Sequence, residues 1–185
     1  MLQGEISKEK TKNSVQTLLA QVETLDGIAG SFSAFATMPS PVMTKVDLTM
    51  VLQKAVSLYE NHMLGTVAFD KPSASVYVNA DEQLVGRIFS NIILNGLQSN
   101  KDGHVNVDVT IQRDSEWSTV CIKDNGKGVS AELIDKIFLP HFSTKETGSG
   151  LGLAIAKQGI EQMGGSVRFE TSARGTSFFV RLKKS

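Results

Sequence analysis

Three groups of residues in this chain have types and spacings that could do chemistry. Asn91 and Asn95 are four apart on a segment patterned as a helix, so they stand one turn from each other. Both lie on the flank of the apolar stripe made by Leu84, Ile88 and Ile92. Asparagine is a mediocre helix former, and two amides beside such a stripe need partners. They either cap a neighbouring loop or offer an amide oxygen to a hard cation such as Mg²⁺.

The second group is Asp124-Asn125-Gly126-Lys127-Gly128-Val129. Asn-Gly alone signals a hairpin turn, but Ser130 to Ile137 reads as a helix start and not as a returning strand. A carboxylate therefore ends a strand, and two glycines let the backbone approach something closely. A buried Asp in such a place can accept a hydrogen bond from an amino group, such as the exocyclic one of adenine. The third group is Gly148-Ser149-Gly150-Leu151-Gly152-Leu153-Ala154, where glycines alternate directly before a helix. Free backbone N–H groups and the positive end of the helix dipole suit phosphate oxygens. Two look-alikes are excluded. A dinucleotide fingerprint needs glycine where Leu153 stands, and a P-loop needs Ser or Thr where Gly128 follows Lys127.

The remaining reactive side chains offer less. His62, His104 and His141 lack metal-ligand spacing, and no nucleophile elbow supports a serine triad. Cys121, the only cysteine, rules out an internal disulfide and sits at a position that reads as a buried strand residue. Lys plus Arg and Asp plus Glu are balanced at 19 each with no basic cluster, so nucleic acid has no electrostatic footprint here. No apolar run approaches the roughly 20 residues that cross a bilayer. With 41% hydrophobic and 21% charged residues over 185 positions, the composition is that of a globular chain with room for one α/β domain and an extra element.

The elements that must position these groups follow from periodicity. From about Lys8 to Ala36, apolar residues recur at Val15, Leu18, Val22, Leu25, Ile28 and Phe32, the seam of a long helix of roughly 45 Å. Pro39 and Pro41 end it and mark a boundary, giving residues 1–45 as one unit and 46–185 as another. Asp47 caps a predicted helix reaching Glu60, and Asp81 opens another to about Leu97. Strands are predicted at Ser75 to Val78, Val105 to Ile111, Trp117 to Ile122, Ser166 to Thr171 and Thr176 to Leu182. A short helix over Ala131 to Ile137 and a longer one over Leu151 to Met163 complete the set. Mixed helices and neighbouring strands predict an α/β two-layer sandwich, with helices on one face of a mixed sheet and a long N-terminal helix before it.

The order and spacing of the motifs resemble the ATP-binding domain of sensor histidine kinases of the nitrogen-regulation type, within the GHKL superfamily that includes gyrase B, MutL and the ninety-kilodalton heat-shock chaperones. Asn91-Ile92-Ile93-Leu94-Asn95-Gly96 resembles the N box, and Asp124 to Val129 the first glycine box. Ile137 to Lys145 resembles the F box, Gly148 to Leu153 the second glycine box, and Gly175-Thr176 the closing Gly-Thr. The resemblance covers Val46 to Leu182 and implies a Bergerat-type fold that takes ATP and Mg²⁺.

Family roles then transfer by position. Asn95 would hold Mg²⁺ and Asp124 the adenine amino group. Gly126, Gly128 and Val129 would border the base, with Thr176 beneath it. Gly148, Gly150, Leu151 and Gly152 would shape the phosphate contacts, with Lys145 and Ser149 as phosphate partners on a lid, about Leu139 to Ser149, that orders on nucleotide binding. Hydrolysing relatives place a glutamate one turn before the metal-binding Asn; here Asn91 stands there and cannot act as a base, which favours a kinase over a GHKL ATPase or a degenerate binding module. Gln98 and Ser99 depart from the frequent Lys and aromatic, and Gly96 from the usual Ala. No residue is singled out as catalytic.

The resemblance extends to the N-terminal helix, which is similar to the second helix of the dimerisation hairpin. It implies γ-phosphoryl transfer to a histidine on a helix this chain lacks, a response-regulator receiver as the next partner, self-association through the N-terminal helix, and a cytoplasmic domain of a parent that is membrane-anchored in many members.

Overall fold

The computed structural model describes residues 39–100, 103–145 and 148–185, and in the N-terminal segment Ser14, Val15, Leu18 and Val22. Those four are helical, and the side chains of Val15, Leu18 and Val22 are exposed. The rest of the predicted N-terminal helix lies outside the described residues.

The chain runs β1 (Thr44–Asp47), α1 (Leu48–Ser57), β2 (Gly65–Asp70), β3 (Tyr77–Ala80), α2 (Glu82–Leu97), β4 (Val105–Arg113), β5 (Trp117–Asp124), a 3₁₀ helix (Ala131–Lys136), α3 (Gly152–Gln162), β6 (Ser166–Ser172) and β7 (Gly175–Lys183). Strands β2-β4-β5-β7-β6 form one sheet, parallel between β2 and β4 and antiparallel elsewhere. Strands β1 and β3 form a small antiparallel pair, joined to the end of β7 through a bridge between Val78 and Lys184. The predicted two-layer sandwich on a mixed sheet is what the chain forms.

Each helix is positioned by its own sequence. On α2, Val85, Ile88, Phe89, Ile92, Ile93 and Leu97 are buried and fall on one face of a 3.6-residue helix. Each fully buried side chain of this size contributes roughly 1.5–3 kcal/mol. Asp81 starts α2 by accepting a hydrogen bond from Leu84 N at 2.9 Å. Asp47 starts α1 by accepting from Thr49 N and Met50 N. That helix stops at Ser57, short of the predicted Glu60.

The sheet supplies the other half of the core. Val105, Val107 and Val109 of β4, Val120 and Ile122 of β5, and Phe178, Val180 and Leu182 of β7 turn to the helices. The alternation corrects the reading of Cys121. It falls between Val120 and Ile122, on the face away from the helices, and is half-buried. Strands β1 and β2 are not predicted from the sequence, and β3 starts at Tyr77, later than the expected Ser75.

Gly96 shows why α2 departs from alanine. A β-carbon there would lie 3.1 Å from Val107 Cγ2 and 3.4 Å from Asp124 Cβ. Helix α2 therefore lies close against β4 and β5 at the point where the two candidate motifs meet.

Candidate functional site

The buried face of β5 ends on a carboxylate. Ser118, Val120, Ile122 and Asp124 all point to the helix layer, and Asp124 is 4% exposed where a hydrophobe would continue the pattern. Its Oδ1 accepts from Gly126 N at 2.8 Å, within the glycine turn, and from Thr176 N at 3.3 Å, across the ladder to β7. Among the described residues, the backbone donors go to Oδ1 and none to Oδ2. Burial raises the carboxyl pKa above its ordinary value, and the two backbone donors oppose that rise. The Ser99 hydroxyl lies near enough to pull it down slightly, yet it is buried without a hydrogen-bond partner of acceptable geometry.

The turn around Asp124 is tied down on three sides. Asn125 donates its backbone N–H to Asn106 O, and its Oδ1 accepts from Asn106 N at 2.8 Å, which anchors the strand exit to β4. Val129 N donates to Thr171 Oγ1 at 2.8 Å, and that hydroxyl stands 3.2 Å from Thr176 Oγ1. Gly126 has no room for a side chain, since a β-carbon would lie 1.8 Å from Ser99 Oγ. Gly128 has a φ of 72°, and a β-carbon there would meet Ser172 O at 2.0 Å.

The other end of the site is built from α2, the loop after the 3₁₀ helix and the start of α3. Among the described residues, no side chain caps the start of helix α3. Its first residue, Gly152, faces Asn91: a β-carbon on Gly152 would lie 3.5 Å from the Asn91 amide carbon and nitrogen. Gly150, at φ 67°, lies against the backbone of His141 and Phe142. Lys145 reaches across to α2 and donates from Nζ to Asn95 Oδ1 and to Gln98 Oε1, each at 2.7 Å. Burial lowers the Lys145 pKa. Ser149 and Gly148 are exposed beside this bay, and Leu151 is buried below it.

The structure thus brings Asn91, Asn95, Lys145 and Gly152 together at one end, and Asp124, Gly126, Gly128, Val129 and Thr176 at the other. Gly96 joins the two. Two neutral amide oxygens at the end of α2, from Asn95 and the C-cap Gln98, converge on a single cation, a set that suits a hard divalent ion keeping several waters. Among the described residues, no three His, Cys, Asp or Glu side chains cluster as a metal site. Residues the sequence did not indicate are Thr171, Asn106 and the pairing of Gln98 with Lys145. A separate groove is lined by Val42, Val51, Leu58 and Arg87. Of the charges that line it, Asp81 caps α2 and accepts from Val42 N, and Lys54 pairs with Glu82.

A helix layer on a mixed sheet, a buried carboxylate ending a central strand and an uncapped helix start facing Asn91 define a nucleotide-binding domain. The chain belongs to the histidine kinase-, DNA gyrase B- and HSP90-like ATPase family, whose model matches residues 80–185. It is an ATP-binding catalytic domain of the sensor-histidine-kinase type. It is 27% identical to the nitrogen regulation protein NtrY of Azorhizobium caulinodans over 172 residues, which cover 90% of this chain and 22% of that protein. Sporulation kinase C of Bacillus subtilis is 26% identical over 176 residues, covering 92% of this chain and 41% of that one. The chain therefore spans less than half the length of these relatives. Among solved structures, the catalytic domain of histidine kinase ThkA matches with a TM-score of 0.69 at 25% identity, over 77% of this chain and 96% of that one. Among the described residues no helix is long and apolar enough to cross a membrane.

Proposed function

We propose that this domain holds ATP with a divalent cation and donates the γ-phosphoryl group to a histidine on a helix supplied by another part of the parent protein. The observation that carries the reading is the Asp124 carboxylate, buried at a strand end with two backbone donors on Oδ1 and none on Oδ2. Oδ2 accepts from the adenine amino group. Gly126 and Gly128 let the base lie against the backbone, Val129 borders it, and Thr176 sits beneath it.

Asn95 holds Mg²⁺ through its amide oxygen, and the ion neutralises phosphate charge when bound. Asn91 lies beside the phosphates as a neutral amide that cannot take a proton from water, so ATP waits for a nucleophile. The N–H groups of Gly150, Leu151 and Gly152, with Ser149 and Lys145, receive the phosphate oxygens, and Gly148 gives the loop its turn. Transfer is then chiefly a matter of positioning and charge stabilisation. In this reading residues 1–45 are the second helix of a dimerisation hairpin, able to pair with another copy. The domain works on the cytoplasmic side, and a response-regulator receiver takes the phosphoryl group onward.

The test is titration of a fluorescent ATP analogue into the wild type and Asp124→Asn. In the variant the two backbone donors retain the single amide oxygen, and an NH₂ group faces the adenine amino group. Loss of a charge-assisted hydrogen bond of about 1.5–3 kcal/mol weakens binding roughly 10- to 150-fold. Unchanged affinity would overturn the assignment of Asp124. Incubation with ATP alone separates kinase from ATPase, since a kinase domain releases little phosphate until an acceptor hairpin is added.

A further inference from the structure

Lys145 is held in an unusual way for a half-buried ammonium. Its two acceptors, Asn95 Oδ1 and Gln98 Oε1, are both neutral amides at 2.7 Å. No carboxylate pairs with it among the described residues. The amides are three residues apart at the C-terminal end of α2, so they share one face of the helix. The negative end of the helix dipole adds to their pull on a cation. Lys145 itself comes from a loop 50 residues further along the chain, so its presence there is a tertiary choice.

We propose that Asn95 and Gln98 form a single cation seat with two alternating occupants: the Lys145 ammonium before nucleotide binds, and a divalent metal once nucleotide brings it. The inference rests on the reading of Asn95 as the metal-holding residue. Both occupants need the same amide oxygens, and one seat 2.7 Å from each cannot hold both. The arriving metal therefore displaces Lys145 from the seat. Gln98 determines how firmly the lysine is held. In chelator, Lys145 can serve the phosphates from its seat as a tethered stand-in for the metal.

The competition predicts a coupling between Lys145 and the metal. A fluorescent ATP analogue is titrated into the wild type and Lys145→Met, in excess MgCl₂ and in EDTA. The ratio of the two dissociation constants measures what the metal adds. It is expected to be small in the wild type and at least about tenfold larger in Lys145→Met, because the stand-in cation is gone. An equal ratio in both proteins would overturn the shared seat while leaving the nucleotide site intact. Absence of nucleotide binding by the wild type in MgCl₂ would instead remove the functional reading and this inference with it.

A second readout needs neither nucleotide nor the lysine variant. Under lysine-selective acylation of the nucleotide-free protein, the Lys145 rate is read against that of the exposed Lys71 as an internal reference. Gln98→Leu should raise the Lys145 rate severalfold with Lys71 unchanged. Equal reactivity of Lys145 in the two proteins would show that Gln98 does not hold it.

Discussion

The α-carbon of Gly175 lies against the Asp124 carbonyl so closely that a β-carbon on it would stand 1.9 Å from that oxygen. The contact brings the start of β7 onto the end of β5, and it is what places Thr176 N within 3.3 Å of the Asp124 carboxylate.

Gly175→Ala should therefore cost more than its size suggests. The position has φ 123°, where an L side chain is strained, and the obstructing atom is backbone, which cannot rotate away. A loss of about 2–4 kcal/mol is expected, or roughly 5 to 15 °C in melting temperature for a domain of this size. Thermal unfolding measures it, and a shift below about 2 °C would mean that the two strands separate freely there.

Asp124→Asn should do the opposite to the nucleotide-free protein. Burial raises the Asp124 pKa, so folding favours the protonated carboxyl. The stability this group contributes is full below the ordinary carboxylate pKa and is lost as pH rises through the raised value. At neutral pH the ionised carboxylate thus burdens the fold, and a neutral amide keeping the two backbone bonds should not. Unfolding at about pH 7.5 should show the variant as stable as the wild type or more so, with the gap closing below about pH 4. A variant clearly less stable at neutral pH would contradict this.

Much of this is legible in the chain without coordinates, for physical reasons. Helix α2 carries a strong 3.6-residue stripe and an Asp cap, so its start and end follow from the sequence. Asp124 stands out because a charge closes a run of alternating hydrophobes, and the glycines around it are required where the backbone leaves no room. What escapes depends on register. Thr171 meets Val129 only because β6 pairs with β7 so that Thr171 faces Thr176, and Asn106 meets Asn125 only because β4 lies beside β5. No local period encodes such pairings. Strand β1 has four residues, and in β2 the residues Thr66, Ala68 and Asp70 are too mixed for a clear alternation.

Asp47→Ala provides a contrast away from the site. The carboxylate satisfies Thr49 N and Met50 N at the start of α1, at 3.0 and 3.2 Å. Removing an N-cap costs about 1 kcal/mol, or roughly 2–4 °C in melting temperature. Nucleotide affinity should not change, since neither α1 nor Asp47 borders the bay. A fall in affinity comparable to that of Asp124→Asn would mean that the cap also shapes the site.

Thr171→Val tests whether the hydroxyl pair under the glycine turn matters to binding. The Thr171 hydroxyl accepts from Val129 N at 2.8 Å and stands 3.2 Å from the Thr176 hydroxyl, so it links the first glycine turn to β7. Valine keeps the shape and removes the oxygen, which leaves the Val129 N–H without its acceptor. Such a loss costs about 1–3 kcal/mol, a fall of roughly 3 to 10 °C in melting temperature. Because Val129 and Thr176 border the proposed adenine position, nucleotide affinity should fall severalfold along with stability. Thr171→Ser retains the hydroxyl and should recover most of the affinity, even if the lost methyl lowers stability slightly. Equal affinities for the Val and Ser variants would show that the hydroxyl is not what holds the turn, and that backbone contact between Gly128 and Ser172 is enough.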